Sequence, residues 1–388
     1  MKILFIQKMA GVSGSERYLL SIMPELKQKN IDISFLVLQH PKNSCKNSDF
    51  IQKLQSHNIQ VFILNSYFQT SLSLIYRTAS IIRAHKFTIL HTNLIHADFL
   101  GACVKKFFHP GIKLLSTKHG YSDKFQGRHG FDFTKLKPDL LMLISKWSAN
   151  YADKVVCISQ SLTNFYKDSG VIQEKKLLTI PYGFNFSNIH INRDNSNLNF
   201  GSPQLIVTGR LEPVKQHHLL LEILPELKYH FPNLSVVMVG DGSLHSSLLA
   251  LSVKLGVSNY VHWVGFQENV HSYIKNSDLM IVPSRSEGFG LVVLEAWYHS
   301  KPVIGFNVPA LNNVVESGKD GILVEPFSSK ALLDAVIEML SNREKLELFG
   351  QAGHQKQEEV FGIDSMTALT MKVLRELKKN DNLESSFD

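Results

Sequence analysis

Short apolar runs alternate with helical patterns along both halves of the chain. The first half opens with the strand-like run KILFIQ, shows a helical pattern from about Ser15 to Lys29, and continues with the strand-like runs DISFLVL, TILHTN and KLLSTKHG. The second half has the strand-like runs QLIVTG, LSVVMVG, YVHWVG and LMIVPS, separated by helical patterns near 215–229 and 243–255 and a short helix, with a further helix from about Gly290. Strands that alternate with helices predict an α/β fold whose parallel sheets are covered by helices on both faces.

The periodic pattern is lost in the middle of the chain, in an Asn- and Ser-rich stretch that begins GFNFSNIHINRDN. A chain of 388 residues also exceeds one ordinary hydrophobic core, so two doubly wound domains are expected. The predicted segments are a first domain at 1–183, a linker at 184–203, a second domain at 204–360, a C-terminal helix at 361–380 that packs on the first domain, and a tail at 381–388.

The composition is that of a soluble globular protein, with 44% hydrophobic and 19% charged residues. The three cysteines, Cys45, Cys103 and Cys157, are widely spaced and form no Cys-x-x-Cys pattern, which argues against a disulfide framework or a zinc site. The opening run MKILFIQ is too short for a signal peptide, and no apolar window approaches the length of a membrane-spanning helix. We therefore expect a cytoplasmic protein.

Charge is distributed unevenly along the chain. Residues 1–200 contain 25 Lys and Arg against 12 Asp and Glu, whereas residues 201–388 contain 16 against 22. No nucleic-acid-reading module accompanies the basic half, so nucleic acid is not expected as a partner. The inner face of an anionic membrane is a candidate, with Lys105, Lys106, Phe107 and Phe108 as the contact patch. The alternatives are an ordinary solvated surface and, for the two Phe rings, a place in the core.

The segment SRSEGFGLVVLEAW carries two carboxylates, Glu287 and Glu295, with seven residues between them. It follows the buried run LMIVPS, so Glu287 is predicted in the loop at the carboxyl end of a strand and Glu295 inside the next helix. The free N–H groups at the start of that helix, Gly288 to Leu291, attract a phosphate. A rise of 1.5 Å per residue puts Glu295 about 7 to 8 Å beyond that anion. The pair is therefore predicted to bracket a diphosphate and to accept hydrogen bonds from sugar hydroxyls.

This region, continued as YHSKPVIGFNVPALNNVVESGKDGILVEP, resembles the signature region of glycosyltransferase family 4, as TGRLEPVKQHHLLLEIL upstream also does. The resemblance is close over 203–341 and looser over the first half, where it rests on GVSGSERYLL, TKHG and VVCISQSL. It implies a GT-B architecture, in which two Rossmann-like domains face a cleft, the first on the acceptor side and the second binding the donor. It also implies a retaining hexosyltransferase that moves a sugar from a nucleotide-diphosphate sugar to a glycan or lipid-linked acceptor, in cell-envelope polysaccharide or lipopolysaccharide synthesis.

The resemblance assigns roles to individual residues of the second half. Arg210 and Lys215 would contact the donor diphosphate, Glu287 the donor sugar hydroxyls and Glu295 the ribose, while Gly265 and Phe266 would line the base pocket. The implied nucleotide-sugar-binding set is Gly14, Arg210, Lys215, Gly265, Phe266, Glu287, Gly288, Phe289, Gly290, Leu291 and Glu295. The implied catalytic set is His119, Arg210, Lys215 and Glu287.

Two features of the first half fit the same interpretation. Gly11 and Gly14 lie in the loop after the first strand, ahead of Glu16 and Arg17. The family usually has two adjacent glycines here, whereas Val12 and Ser13 separate them in this sequence. The sequence therefore does not identify which backbone N–H group contacts the phosphate. His119 follows the run KLLST and resembles the family histidine beside the reacting sugar. Its implied role is a hydrogen bond to the donor sugar or to the developing oxocarbenium ion, not nucleophilic attack.

Metal-dependent transferases usually hold a cation with an Asp-x-Asp pair, and this triplet is absent from the sequence. We therefore expect neither a metal nor another cofactor, with Arg210, Lys215 and the helix N-terminus offsetting the charge of the leaving diphosphate.

Three other classes were compared with this interpretation. A dinucleotide-dependent oxidoreductase requires Gly-x-Gly-x-x-Gly after the first strand, but GVSGSE has a different spacing. A sugar-nucleotide epimerase of the same architecture and a non-catalytic nucleotide-sugar-binding protein both stay open.

Overall fold

The computed structural model describes residues 1–9, 14–43, 47–66, 71–120, 140–186 and 198–384. These residues form two compact units. The first holds the described residues of 1–121, 132–185 and 362–388, and the second holds those of 186–361.

The first unit is built on a parallel sheet. Its strands are β1 (Lys2–Met9), β2 (Asp32–Gln39), β3 (Gln60–Asn65), β4 (Ile89–Asn93), β5 (Lys113–Lys118), β6 (Lys154–Cys157) and β7 (Leu177–Thr179), in the order β3-β2-β1-β4-β5-β6-β7. Its helices are α1 (Gly14–Gln28), α2 (Ser48–Ser56), α3 (Leu72–His85), α4 (Leu94–Phe107), α5 (Leu140–Tyr151) and α6 (Gln160–Asp168). The strand order reverses between β1 and β4, and in such sheets ligands bind at the carboxyl ends of the strands beside this point.

The second unit repeats the plan. Its strands are β8 (Gln204–Thr208), β9 (Ser235–Val239), β10 (Val261–Gly265), β11 (Leu279–Val282), β12 (Val303–Phe306) and β13 (Gly321–Val324), in the order β10-β9-β8-β11-β12-β13. Its helices are α7 (His217–His230), α8 (His245–Lys254), α9 (His271–Lys275), α10 (Leu291–Tyr298), α11 (Leu311–Val314), α12 (Ser329–Leu340) and α13 (Arg343–Phe361). Here the order reverses between β8 and β11.

Burial of the strands explains why the sequence reads as continuous apolar runs. Every residue of β4, β5, β8, β9, β11 and β12 is buried, as expected where helices cover both faces of a parallel sheet. The predicted α/β fold class with doubly wound parallel sheets is therefore confirmed. Local chemistry sets some boundaries: α7 begins at His217 because residues 213–215 form a 3₁₀ turn and Gln216 has a φ of 49°.

A last helix, α14 (Ile363–Glu384), belongs to the first unit and packs against α1. The start of α14 contacts the chain segment that follows β7. The Gly183 N–H donates to Met366 Sδ at 3.2 Å, and Phe184 forms a bridge with Gly362. The helix extends past 380, where the sequence predicted its end. Residues 187–197 of the predicted linker lie outside the described residues.

Candidate active site

Lys215 and Glu287 meet at the switch point of the second sheet. Lys215 ends the 3₁₀ turn after β8, and Glu287 lies in the loop after β11. The Lys215 Nζ donates to Glu287 Oε1 at 2.6 Å, and the two side chains are only 17% and 10% exposed. The two loops are also joined by the Arg285 N–H, which donates to the Val214 carbonyl oxygen at 2.8 Å. Two residues that are 72 positions apart in the sequence thus form one ion pair.

The loop after β8 approaches its neighbours closely enough to require glycine. A Cβ on Gly240 would lie 1.9 Å from the Gly209 carbonyl oxygen, and both glycines have positive φ. Arg210 follows Gly209 with an exposed side chain. The structure therefore brings Lys215 and Glu287 together and leaves the Arg210 guanidinium at the surface of the same loop.

Helix α10 begins at this edge of the sheet. Its N-cap, Gly290, has a φ of 95°, which a residue with a Cβ rarely adopts. The first turn, which starts at Leu291, leaves backbone N–H groups without intrahelical partners, and together with the helix dipole these favour an anion. Gly288 is half-buried just before the helix, and Glu295 in its second turn is 5% exposed.

The two predicted aromatic residues of the donor site have opposite environments. Phe289 is 4% exposed, and its ring packs edge-on against Phe361 with centroids 5.7 Å apart, so only its backbone is available to a ligand. Phe266 follows β10 and is 75% exposed, and Gly265 before it has a φ of 69°. The Phe266 ring is thus accessible at the surface, and the ring of Phe289 belongs to the core.

His119 lies in the first unit, directly after β5. Its Nε2 is 2.9 Å from Asn93 Oδ1 and its Nδ1 is 2.5 Å from the Tyr182 hydroxyl, so the ring donates from Nε2 and accepts at Nδ1. Burial, with smaller effects from His91 and Lys118, lowers the pKa of His119 to about 3. The imidazole is therefore neutral at physiological pH, which fits a hydrogen-bonding role better than that of a cation or a general acid.

The loop between β1 and α1 is only partly described. Gly14 is the first residue of α1, whereas Gly11 lies outside the described residues. Glu16 is 3% exposed and accepts hydrogen bonds from the side chains of Gln7 and Ser15. The buried Glu16 side chain therefore stabilises the start of α1 through these hydrogen bonds.

Sequence reasoning did not identify the partners of His119. Asn93 closes the run TILHTN at the carboxyl end of β4, and a polar residue at that position was a usable signal. Tyr182, by contrast, lies 63 residues after His119 with no motif around it, and only the folded chain brings the two together.

Two family models match the sequence over most of its length. The model of the family Glycosyltransferase Family 4 matches residues 12–188, and that of Glycosyl transferases group 1 matches residues 188–356. The chain therefore belongs to the glycosyltransferases of the family 4 type.

Individual relatives are distant. N-acetyl-alpha-D-glucosaminyl L-malate synthase of Bacillus anthracis is 24% identical over 96% of this chain and 95% of its own length. An Escherichia coli UDP-Gal:alpha-D-GlcNAc-diphosphoundecaprenol alpha-1,3-galactosyltransferase is 23% identical over 88% of each chain. The match to the uncharacterized glycosyltransferase MJ1178 of Methanocaldococcus jannaschii, at 27% identity, covers 58% of this chain and 61% of that relative.

Among solved structures, Anabaena HepE in complex with UDP-glucose superposes with a TM-score of 0.79 over 97% of this chain and 100% of that chain, at 21% identity. This likeness shows that the two chains share the GT-B fold.

Proposed function

We propose that this chain is a retaining glycosyltransferase that moves a sugar from a nucleotide-diphosphate sugar to a glycan or lipid-linked acceptor, in cell-envelope polysaccharide or lipopolysaccharide synthesis. The observation that carries the proposal is the Lys215–Glu287 pair beside the N-terminus of α10, at the switch point of the second sheet. The name of the E. coli relative specifies a diphosphoundecaprenol-linked acceptor, which supports the proposed acceptor class.

Different residues of the second unit are proposed to contact different parts of the donor. Lys215, Arg210 and the α10 N-terminus face the charge that develops on the leaving diphosphate as the glycosidic bond breaks. Glu287, held by Lys215 at 2.6 Å, presents its other carboxylate oxygen to sugar hydroxyls. Phe266 stacks on the base, and the buried Glu295 accepts from the ribose.

Retention is proposed to follow a same-face reaction in which an oxygen of the leaving phosphate accepts the proton of the acceptor. Glu287 is engaged with Lys215, which suits a holding role better than that of a nucleophile. Neutral His119 donates a hydrogen bond to the sugar when its contact with Asn93 is exchanged for the substrate.

Transfer is proposed to need neither a metal nor another cofactor. Arg210, about half a charge from the helix end, and Lys215, whose charge is shared with Glu287, are proposed to offset the charge of the diphosphate in place of a divalent cation. Donor-dependent product formation by the purified protein in excess EDTA is therefore expected to match that in magnesium. Activity that disappears on chelation and returns with magnesium or manganese would contradict this prediction.

The donor is best found by a thermal-shift screen of nucleotide sugars, since a ligand at 100 times its Kd adds about 2.7 kcal/mol to the free energy of unfolding. The best donor is then incubated with and without lipid-linked acceptors. A glycosylated acceptor supports the proposal. A rearranged nucleotide sugar formed without acceptor indicates the epimerase, and binding without turnover indicates the non-catalytic binding protein.

Lys215→Ala and Arg210→Ala are expected to weaken UDP binding. A lost charge-assisted hydrogen bond costs about 1.5 to 3 kcal/mol, or about 10- to 100-fold in Kd. The loss should be larger for Lys215, because it is only 17% exposed whereas Arg210 is exposed. Calorimetry with UDP measures both, with Lys319→Ala as the matched control, since Lys319 forms an exposed pair with Glu316 in the same unit. Unchanged affinity in both site variants would exclude this diphosphate site.

We also propose that the protein is cytoplasmic and binds the inner face of the membrane reversibly. No described helix is long and apolar enough to cross a bilayer. Of the predicted patch, Phe107 is 63% and Phe108 37% exposed, so these rings are not core. Lys106 lies over the rings of Phe107, Trp147 and Tyr151 at 5.1 to 5.5 Å, whereas Lys105 pairs with Asp153 at 2.5 Å. Lys106 and the exposed rings suit a headgroup boundary, whereas the charge of Lys105 is already compensated by Asp153.

Flotation with anionic liposomes at low salt is expected to carry the wild-type protein upward. Phe107→Ser is expected to reduce the floated fraction, because it removes an exposed ring beside Lys106. Tyr229→Ser is the control, since Tyr229 is 82% exposed in the second unit. A wild-type protein that stays at the bottom of the gradient would reject the membrane contact.

A further inference from the structure

Two basic side chains, Lys8 and His96, lie at the switch point of the first sheet. Strands β1 and β4 run side by side, with Gln7 opposite Asn93. Lys8 follows Gln7 on β1, and His96 lies in the first turn of α4, three residues after Asn93. The two side chains therefore occupy the edge at which doubly wound sheets bind ligands.

Lys8 and His96 are both half-buried, and neither has a hydrogen-bonding or ion-pair partner for its side chain among the residues that the structure describes. Burial lowers the pKa of Lys8, and burial together with the charge of Lys8 lowers the pKa of His96. Burial thus disfavours the positive charge of each group, and the charge of Lys8 further disfavours that of His96, so a bound anion would offset both effects.

Neighbouring carboxylates are engaged elsewhere. Glu16 accepts hydrogen bonds from Gln7 and Ser15. Asp98 accepts from Thr92, Ser116 and Lys118. Neither of these two carboxylates is available to neutralise Lys8, which leaves a place for a negative charge supplied by a ligand.

Further hydrogen-bond donors lie at the same edge. Asn93 is fully buried, and its side-chain Nδ2 has no hydrogen-bond partner, while its Oδ1 faces His119. Asn93 is also the N-cap of the 14-residue helix α4 and makes no side-chain cap hydrogen bond. The first turn of α4 therefore adds unpaired N–H groups and the positive end of its dipole.

We propose that Lys8, His96 and the N-terminus of α4 form a binding site for a phosphate or carboxylate group of the acceptor. This inference rests on the proposed transferase function. Asn93 contacts His119 and occupies the N-cap position of α4. The anionic group would therefore bind close to His119, the residue assigned to the reacting sugar. The acceptor is then a hydroxyl-bearing molecule whose anionic group is near the hydroxyl that receives the sugar.

The test uses the full chain saturated with UDP, so that the donor diphosphate site is filled. Inorganic phosphate and malonate are titrated separately, and binding is followed by NMR of the histidine side chains. Saturable binding that perturbs the His96 ring is expected, and the probe that binds more tightly identifies the chemical group. Lys8→Met and His96→Gln are each expected to weaken binding at least tenfold, because each removes a charge-assisted hydrogen bond.

Lys29→Met is the matched control, since Lys29 is an exposed lysine between α1 and β2, at the opposite edge of the same sheet. UDP affinity should be unchanged in all three variants, and failure of the wild-type protein to bind UDP would count against the proposed function instead. Phosphate and malonate binding that is absent in wild type, or unaffected in both Lys8→Met and His96→Gln, would overturn the anionic acceptor site.

Discussion

Glu287→Gln is expected to lower kcat for sugar transfer by about 100-fold, the effect typical of removing one preorganised polar group from a transition-state site. The amide keeps the shape of the side chain but loses the charge that holds Lys215 at 2.6 Å. Sugar contacts that strengthen as the glycosidic bond breaks are lost as well. Folding should be less affected than transfer, because the amide oxygen of glutamine can still accept a hydrogen bond from Lys215.

A double-mutant cycle shows whether Glu287 and Lys215 act as a unit. If they do, Glu287→Gln combined with Lys215→Ala should cost much less than the sum of the single effects. Glu316→Gln is the control, since its exposed pair with Lys319 lies in the same unit. Near-normal turnover by Glu287→Gln with any accepted donor would show that the role assigned to this carboxylate is wrong.

Much of the fold was predictable from strands that are buried on both faces. Runs such as QLIVT and SVVMV consist almost entirely of apolar residues, because helices cover both sides of β8 and β9. Strands β3, β6, β7, β12 and β13 were not predicted, and the last four have only three or four residues each. β3 is an edge strand with a single buried residue, and β7 has only three residues, so neither has a clear hydrophobic signature.

The candidate site was predictable where chemistry follows backbone position. The glycine before α10 and the acidic residue after β11 were predicted from a strand-loop-helix pattern, and the structure places Gly290 and Glu287 in those positions. Side-chain environments were harder. Phe289 and Phe266 are both aromatic residues beside glycines, yet one packs on Phe361 and the other is exposed, because α13 covers only the first.

Long-range pairs lay beyond sequence reasoning altogether. The Lys215–Glu287 contact joins two loops whose separate motifs were assigned to the diphosphate and the sugar, with no indication that they touch. The contact of Tyr182 with His119 arises because the chain after β7 passes the carboxyl end of β5. Such contacts are set by sheet order, and periodicity within one segment carries no information about that order.

Asp98→Ala is expected to destabilise the first unit by about 3 to 5 kcal/mol, the cost of leaving a buried charge without its partner. Asp98 is 2% exposed and accepts hydrogen bonds from Thr92, Ser116 and the Lys118 ammonium, the last at 2.5 Å. Lys118 is itself 5% exposed, so its charge has little access to water once the carboxylate is removed. Since His119 follows Lys118 directly, the loss should also disturb the His119 contacts with Asn93 and Tyr182.

Urea unfolding measures this effect, with Asp32→Asn as the control. Asp32 pairs with Lys2 at 3.5 Å, and its side chain is 55% exposed, so its removal should cost at most about 1 kcal/mol. Asp98→Ala combined with Lys118→Met is expected to recover much of the lost stability, because no buried charge is then left unpaired. If Asp98→Ala unfolds at the same urea concentration as Asp32→Asn, or if adding Lys118→Met destabilises it further, the buried pair is not what stabilises the end of β5.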